Sequence, residues 1–321
     1  RQVMYSFRAG AVYLGLLLFY AVPLLPLFET DEITPQTLKW SFFLVALVLP
    51  ISALLLMRLN PTSRDVGTAV VKKIDSPHSK VASLSLFNLA KTLLKNKPFL
   101  MFIAAYVFCG GSIGMWHGLI FIYVDAYLQL GNFFAGVFMM SFIFSLILIP
   151  IWYRLLGWIG KIYCWALSTL FFIIACICTP MLNPGETGFI TLLLLKMLTE
   201  ISFVVLELLP PLVLSDIVDY SSWKYNLERR GTFFSIYFFT VKTVLALGAA
   251  VGLWIAGAYG FDPSSTSFSA EAVFGLKIAI GWLPAVVMAI AFIFIALTPL
   301  NARRNNILRR RLDSRERQLS H

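Results

Sequence analysis

Apolar residues along this chain come in long runs separated by short polar stretches. A helix needs roughly 20 residues to cross the about 30 Å of a bilayer's hydrocarbon core. Eight segments meet that length: 6–28, 39–58, 99–124, 132–155, 161–181, 188–212, 231–257 and 275–299. Most connections are brief and carry turn formers, such as Asn183-Pro184-Gly185 and Asp262-Pro263. Residues 59–98 differ. They are polar and basic, begin with Pro61, Ser63 and Ser76-Pro77, and end in the amphipathic run from Ser85 to Lys97, which predicts a cytosolic linker closing in a short surface helix.

Composition sharpens this picture. Of the 321 residues 59% are hydrophobic and only 13% charged, with a mean hydropathy of +0.81. Soluble domains run near 25% charged, so the pattern is that of an all-α integral membrane protein. The net charge of +10 does not indicate nucleic acid, because the basic residues sit between apolar runs rather than on one soluble face. Cys109, Cys164, Cys176 and Cys178 all fall inside apolar runs and read as buried thiols, not as a disulfide framework or a metal site. Walker A, HExxH and GxSxG sequences are missing, as are clustered Cys/His ligands, so no enzyme and no bound cofactor or metal is expected.

The distribution of Lys and Arg sets an orientation. Arg58, Arg64, Lys72, Lys73, Lys80, Lys91, Lys95 and Lys97 mark the linker; Arg154 and Lys161 mark the turn near 154–161; Lys224, Arg229 and Arg230 mark the stretch 216–230. The tail after Leu300 is arginine-rich. The alternate loops hold Glu29, Asp31, Glu32, Asp125, Glu186, Asp262 and Glu271. The positive loops recur at every second crossing, which places both termini of a multi-pass inner-membrane protein in the cytoplasm.

The stretch from Glu200 to Gly260 concentrates the chemistry. Two apolar helices are expected to flank a polar hairpin, Asp216 to Arg230, and to hold Glu200, Glu207 and Lys242 at depths without water. An ionisable group inside a membrane helix is costly and marks a functional site by default. Lys242 lies about 11 residues into its helix, roughly 16 Å, too deep for easy snorkelling. Lys196, Glu200 and Glu207 fall within roughly 40° of each other around one helix. Lys196 and Glu200, four apart, could neutralise each other as a structural pair. Glu207 has Phe203, Val204, Pro210 and Pro211 as its helical neighbours, so it needs a cation, a proton, a substrate group or Lys242. His117 could pack between helices or relay protons. Trp116 could stack on a sugar ring or sit at the interface.

Asp216-Ile-Val-Asp219-Tyr220 with Trp223-Lys224, Arg229 and Lys242 resembles the hairpin of the glycoside–pentoside–hexuronide:cation symporters, the melibiose-permease branch of the major facilitator superfamily. Pro150-x-Trp152 followed by Gly157-x-x-Gly160-Lys161, and Asn96-Lys97-Pro98-Phe99, are similar to two further family turns. The resemblance runs over essentially the whole chain and implies a major facilitator fold with eight of its twelve helices present. On that frame 1–58 holds the last two helices of the N-terminal bundle, 59–98 the middle linker, 99–300 the C-terminal six-helix bundle and 301–321 the basic tail. With Arg1 in place of an initiator Met, the frame leads us to expect four helices upstream.

The resemblance also implies a function: symport of a sugar, glycoside or hexuronide with Na⁺ or H⁺, by a monomer in the lipid bilayer, the cation site lying mostly in the upstream helices. It implies that Arg8 and Lys242 belong to the substrate and coupling machinery, to which we add Glu207, Glu200, Lys196, His117 and Trp116 as candidates. Asp216, Asp219, Tyr220, Lys224 and Arg229 form the expected cytoplasmic gate. At Glu207 the chain departs from melibiose permeases, whose register there holds an aromatic, sugar-stacking residue. Two other readings stand beside this one: a carrier of lysolipid or another amphiphile, suggested by 28 Phe, and a non-transporting membrane receptor on the same fold. The small residues Gly248, Ala249, Ala250, Gly252 and Gly257 would permit close helix approach.

Overall fold

The structure is a computed structural model that describes residues 2–22, 35–59, 96–225, 230–265 and 267–298. Among them are eight helices long and apolar enough to cross a membrane, one at each expected span. They are α1 (Gln2–Ala21), α2 (Pro35–Leu59), α3 (Lys97–Ile122, continuing into a π-helical turn Tyr123–Tyr127), α4 (Gly131–Ile159) and α5 (Lys161–Cys178). Then follow α6 (Phe189–Tyr225), α7 (Arg230–Ala258) and α8 (Ala270–Ala296, with a π-helical turn Ile278–Trp282). No strand occurs among the described residues, so the architecture is all-α as expected. The linker from 60 to 95, the tail from 299 onward and Arg229 lie outside the described residues.

Contacts divide the chain into two units. Residues 33–95, with α2, form one; residues 1–32 and 96–321, with α1 and α3 to α8, form the other. Within the larger unit α1 packs on α4 and α6, and α3 packs most extensively on α7.

Local sequence accounts for how these helices start and turn. The Asn96 side chain accepts a 3.3 Å hydrogen bond from the Phe99 amide, and Pro98 sits in the first turn, so Asn96-Lys97-Pro98-Phe99 is the N-terminal cap of α3. Gly160, at φ 86°, joins α4 to α5 in a conformation open mainly to glycine, and Lys161 opens α5 directly after it.

Small residues decide the α3–α7 contact. A Cβ on Gly114 would stand 2.3 Å from the Leu245 carbonyl oxygen, and one on Gly248 2.4 Å from the Gly111 carbonyl oxygen. Gly248, Ala249 and Gly252 thus serve the close approach expected of them. Ala250 and Gly257 do not: Ala250 is exposed, and a Cβ on Gly257 would meet nothing within 4 Å.

The largest departure from expectation lies in α6. The Asp216–Arg230 hairpin is mostly helix, because α6 runs on to Tyr225 and α7 begins at Arg230. At 37 residues α6 is about 55 Å long, well beyond the hydrocarbon thickness, so its polar end is the protruding end of a spanning helix. Pro210 and Pro211 lie inside α6 without ending it. Each lacks the N–H that would bond four residues back, leaving the Leu206 and Glu207 carbonyls without that helical partner.

Candidate functional site

The ionisable groups of α6 form two ion pairs of different character. The first is internal to the helix. Lys196 pairs with Glu200 one turn on, with side chains only 3% and 1% exposed. The Ser145 hydroxyl, from α4, donates a 2.7 Å hydrogen bond to Glu200 Oε2. The Tyr13 side chain, from α1, is buried beside the same Glu200–Ser145 cluster. Four aromatic rings surround the Lys196 ammonium. Nζ lies 4.5 Å from the centroid of Phe138, 5.3 Å from Phe142, 5.5 Å from Phe203 and 5.8 Å from Trp116. A buried ammonium in such a box is stabilised by the ring faces as well as by its counter-ion.

The second pair spans two helices and opens outward. Arg8 of α1 donates a 3.0 Å hydrogen bond to Glu207 Oε1, with side chains 43% and 37% exposed. The guanidinium lies 5.7 Å over the Phe238 ring. Lys242 was expected to partner Glu207, but the direct ion pair goes to Arg8. Lys242, on α7, is exposed and acts on Glu207 through its field. The physical reason is reach: α1 packs on α6 and brings a flexible, permanently charged fork alongside the carboxylate. Tyr106 of α3 and Tyr237 of α7 pack edge to face, ring centroids 5.0 Å apart, and lie close enough to feel both Arg8 and Glu207. Four helices therefore converge on a partly open cluster offering a guanidinium fork, a carboxylate, an ammonium and aromatic surfaces. Such a set can hold polyhydroxylated or charged solutes from several sides at once.

The remaining candidates fall around these pairs. His117 stacks on Phe203 at 4.7 Å and 21°, a ring contact between α3 and α6. Trp116 is fully buried, so its ring is not at a lipid interface; it closes one wall of the lysine box. At the far end of α6, Asp216 and Asp219 are buried and Asp216 forms an ion pair with Lys161. The Gly160-Lys161 turn and Asp216 of α6, 55 residues apart in sequence, thus meet directly. The Lys224 ammonium lies 5.5 Å over the Tyr220 ring.

These features occur in a chain that matches the model of the MFS/sugar transport proteins over residues 1–302. The chain belongs to that family. Over 101 residues it is 34% identical to the Escherichia coli (strain K12) protein named "Putative glycoside/cation symporter YagG". The match covers 32% of this chain and spans 22% of that relative's length. Membership makes the all-α membrane architecture that of a major facilitator protein, in a family of transporters.

Sequence reasoning did not single out several residues that line these two ion pairs: Tyr13, Ser145, Phe138, Phe142, Phe203, Tyr106 and Tyr237. One signal was available. Ser141 and Ser145 are four apart in an otherwise apolar helix, which puts both hydroxyls on one face. The aromatic residues carry no comparable mark, since they are as common on lipid-facing surfaces as around a buried charge.

Proposed function

We propose that this protein is a cation-coupled symporter of a sugar-like solute, a glycoside, pentoside or hexuronide, working by alternating access. The observation that carries the proposal is the Arg8–Glu207 pair with Lys242 nearby. It is a partly open, charged cluster in the middle of apolar spanning helices, where charge is retained for a ligand rather than for packing. Solute binds among Arg8, Glu207 and Lys242, with Tyr106, Tyr237 and Phe238 beside it. Glu207 exchanges its bond to Arg8 for bonds to the solute's hydroxyls. The Lys161–Asp216 pair, with Asp219, Tyr220, Lys224 and Arg229, is the cytoplasmic gate; it stabilises one conformation over the other without touching solute. The basic loops support cytoplasmic termini. The family membership and the name of the YagG relative support a sugar as cargo.

The test is uptake by the purified protein in liposomes, offered radiolabelled methyl glycosides and methyl glucuronides under an imposed Na⁺ or pH gradient. Accumulation above equilibrium that collapses with the gradient is the expected result. Saturable binding without flux would overturn the carrier reading in favour of a receptor. Preferential movement of a labelled lysolipid would overturn the sugar.

A further inference from the structure

The Lys196–Glu200 pair is sealed, satisfied and away from the open cluster, and nothing in the solute-binding scheme uses it. A buried ion pair contributes little net stability, since desolvation consumes most of the attraction; well-packed apolar residues would serve as well. Its surroundings are nevertheless arranged for more than one charge state.

Two features carry this. The Ser145 hydroxyl has two acceptors within reach, Glu200 Oε2 at 2.7 Å and the Ser141 carbonyl at 3.0 Å. A hydroxyl has one proton, so it needs only one of them. If Glu200 gains a proton, its new O–H donates to Ser145 Oγ, and Ser145 turns its own proton to the Ser141 carbonyl. No polar group is left unsatisfied in either state. The second feature is the aromatic box. Neutralising Glu200 removes the counter-ion of Lys196, a step that an apolar pocket would resist. Here Phe138, Phe142, Phe203 and Trp116 remain around the ammonium and favour its charge through their ring faces.

We propose that Glu200 is a proton-binding site of this protein, with Lys196 and its aromatic box as the fixed counter-charge that lets the carboxylate be neutralised inside the membrane. The balance is simple: one proton enters from water on one side, converts the carboxylate to a carboxylic acid, and leaves to water on the other side. The proposal rests on the reading of the chain as an ion-coupled carrier, and it names the ion.

The route from proton to solute runs through α1. Arg8 ties α1 to Glu207, and Tyr13, five residues on, lies beside Glu200. Glu200 and Glu207 are seven residues apart on α6, two turns, or roughly 10 Å. Neutralising Glu200 removes the charge that Tyr13 of α1 lies against, and solute at Glu207 weakens the Arg8 pair, so α1 and α6 part fully only when both are loaded. The groups facing the site are few. From α1 they are Tyr13 and Tyr20, from α3 His117 beside Lys196, and from α6 Lys196 and Glu207; α4 adds only the Ser141 and Ser145 groups.

Infrared difference spectra of the protein in lipid, between alkaline and acidic buffer in H₂O and D₂O, test this without a substrate. The expected result is a protonated-carboxyl C=O band that is lost in Glu200→Gln and displaced in frequency in Ser145→Ala. A band unchanged by Glu200→Gln overturns the proposal. Should Glu200→Gln fold poorly through its stranded lysine, the double variant Glu200→Gln with Lys196→Met removes both charges, and the same loss of the band is required of it. In liposomes, with a methyl glycoside that the protein accumulates, the double variant should still exchange labelled for unlabelled sugar but no longer concentrate it under a pH gradient. Retained pH-driven accumulation overturns the proposal. If no sugar moves in the wild-type protein, the carrier reading fails while the spectra still decide whether Glu200 binds the proton.

Discussion

Glu200 and Glu207 occupy one face of α6, two turns apart, yet the structure treats them differently. Glu200 finds its cation on its own helix, is closed off from its surroundings, and is held by the Ser145 hydroxyl of α4. Glu207 finds its cation 199 residues away in sequence, on α1, and both partners keep more than a third of their side-chain surface open. The contrast separates two uses of charge in a membrane. A sealed pair cannot be traded for an outside ligand, so only something as small as a proton can alter it. An open pair is cheap to break and can be replaced by the hydroxyls or charges of a solute.

The comparison breaks most sharply on stability. Glu200→Gln leaves the Lys196 ammonium without its counter-ion, and removing one partner of a buried pair costs about 3–5 kcal/mol. Glu207→Gln acts on a half-exposed pair worth about 1 kcal/mol or less. Thermal unfolding in detergent should therefore show a large drop for the first variant and a small one for the second; equal drops would remove the distinction.

Transport probes the open cluster. Lys242→Ala should abolish gradient-driven accumulation while expression and membrane insertion stay near normal. Glu207→Gln should raise the apparent KM about tenfold, equivalent to about 1.4 kcal/mol of lost solute binding. Uptake kinetics in vesicles check both, and full accumulation by Lys242→Ala would sink its assigned role.

A smaller effect sharpens the sealed pair. Adding Lys196→Met to Glu200→Gln should recover part of the lost stability, with an interaction energy of about 0.5–3 kcal/mol in a double-mutant cycle. Strict additivity would mean that the two groups do not act as a pair.

The smallest effect is that of salt. Raising ionic strength should weaken Arg8–Glu207, whose charges are open to screening, and leave Lys196–Glu200 untouched. At the gate, Asp219→Asn should lower transport rate more than equilibrium binding; a large loss of affinity with an unchanged conformational distribution would count against gating.

Much of this was legible along the chain. The spans are visible because a membrane helix must satisfy its own backbone and face lipid, which forces a long apolar run whatever its neighbours are. The Lys196–Glu200 pair is visible for the same kind of reason: four residues apart on a helix are one turn apart, with no tertiary information needed. The boundary at Asp216 was misread because polarity marks where a helix leaves the membrane, not where it ends, and α6 carries its hydrogen bonding on to Tyr225. The partner of Glu207 was misread for a different reason. Lys242 was the cation read as deep in the adjoining helix, and nothing local indicates that Arg8 makes the direct pair.

The sequence by itself determined the number and placement of the spanning helices, the family, and the Lys196–Glu200 pair made within one helix. These follow from backbone geometry and from the bilayer's cost for polar groups, both of which act locally. Only the tertiary structure decided that Arg8 meets Glu207, that Lys161 meets Asp216, and that four aromatic rings from three helices close around Lys196. Each of these depends on which helix faces lie together. Those faces are chosen by close packing, as where the Gly114 and Gly248 backbones let α3 and α7 touch, and packing is a property of surfaces that no single run of residues contains.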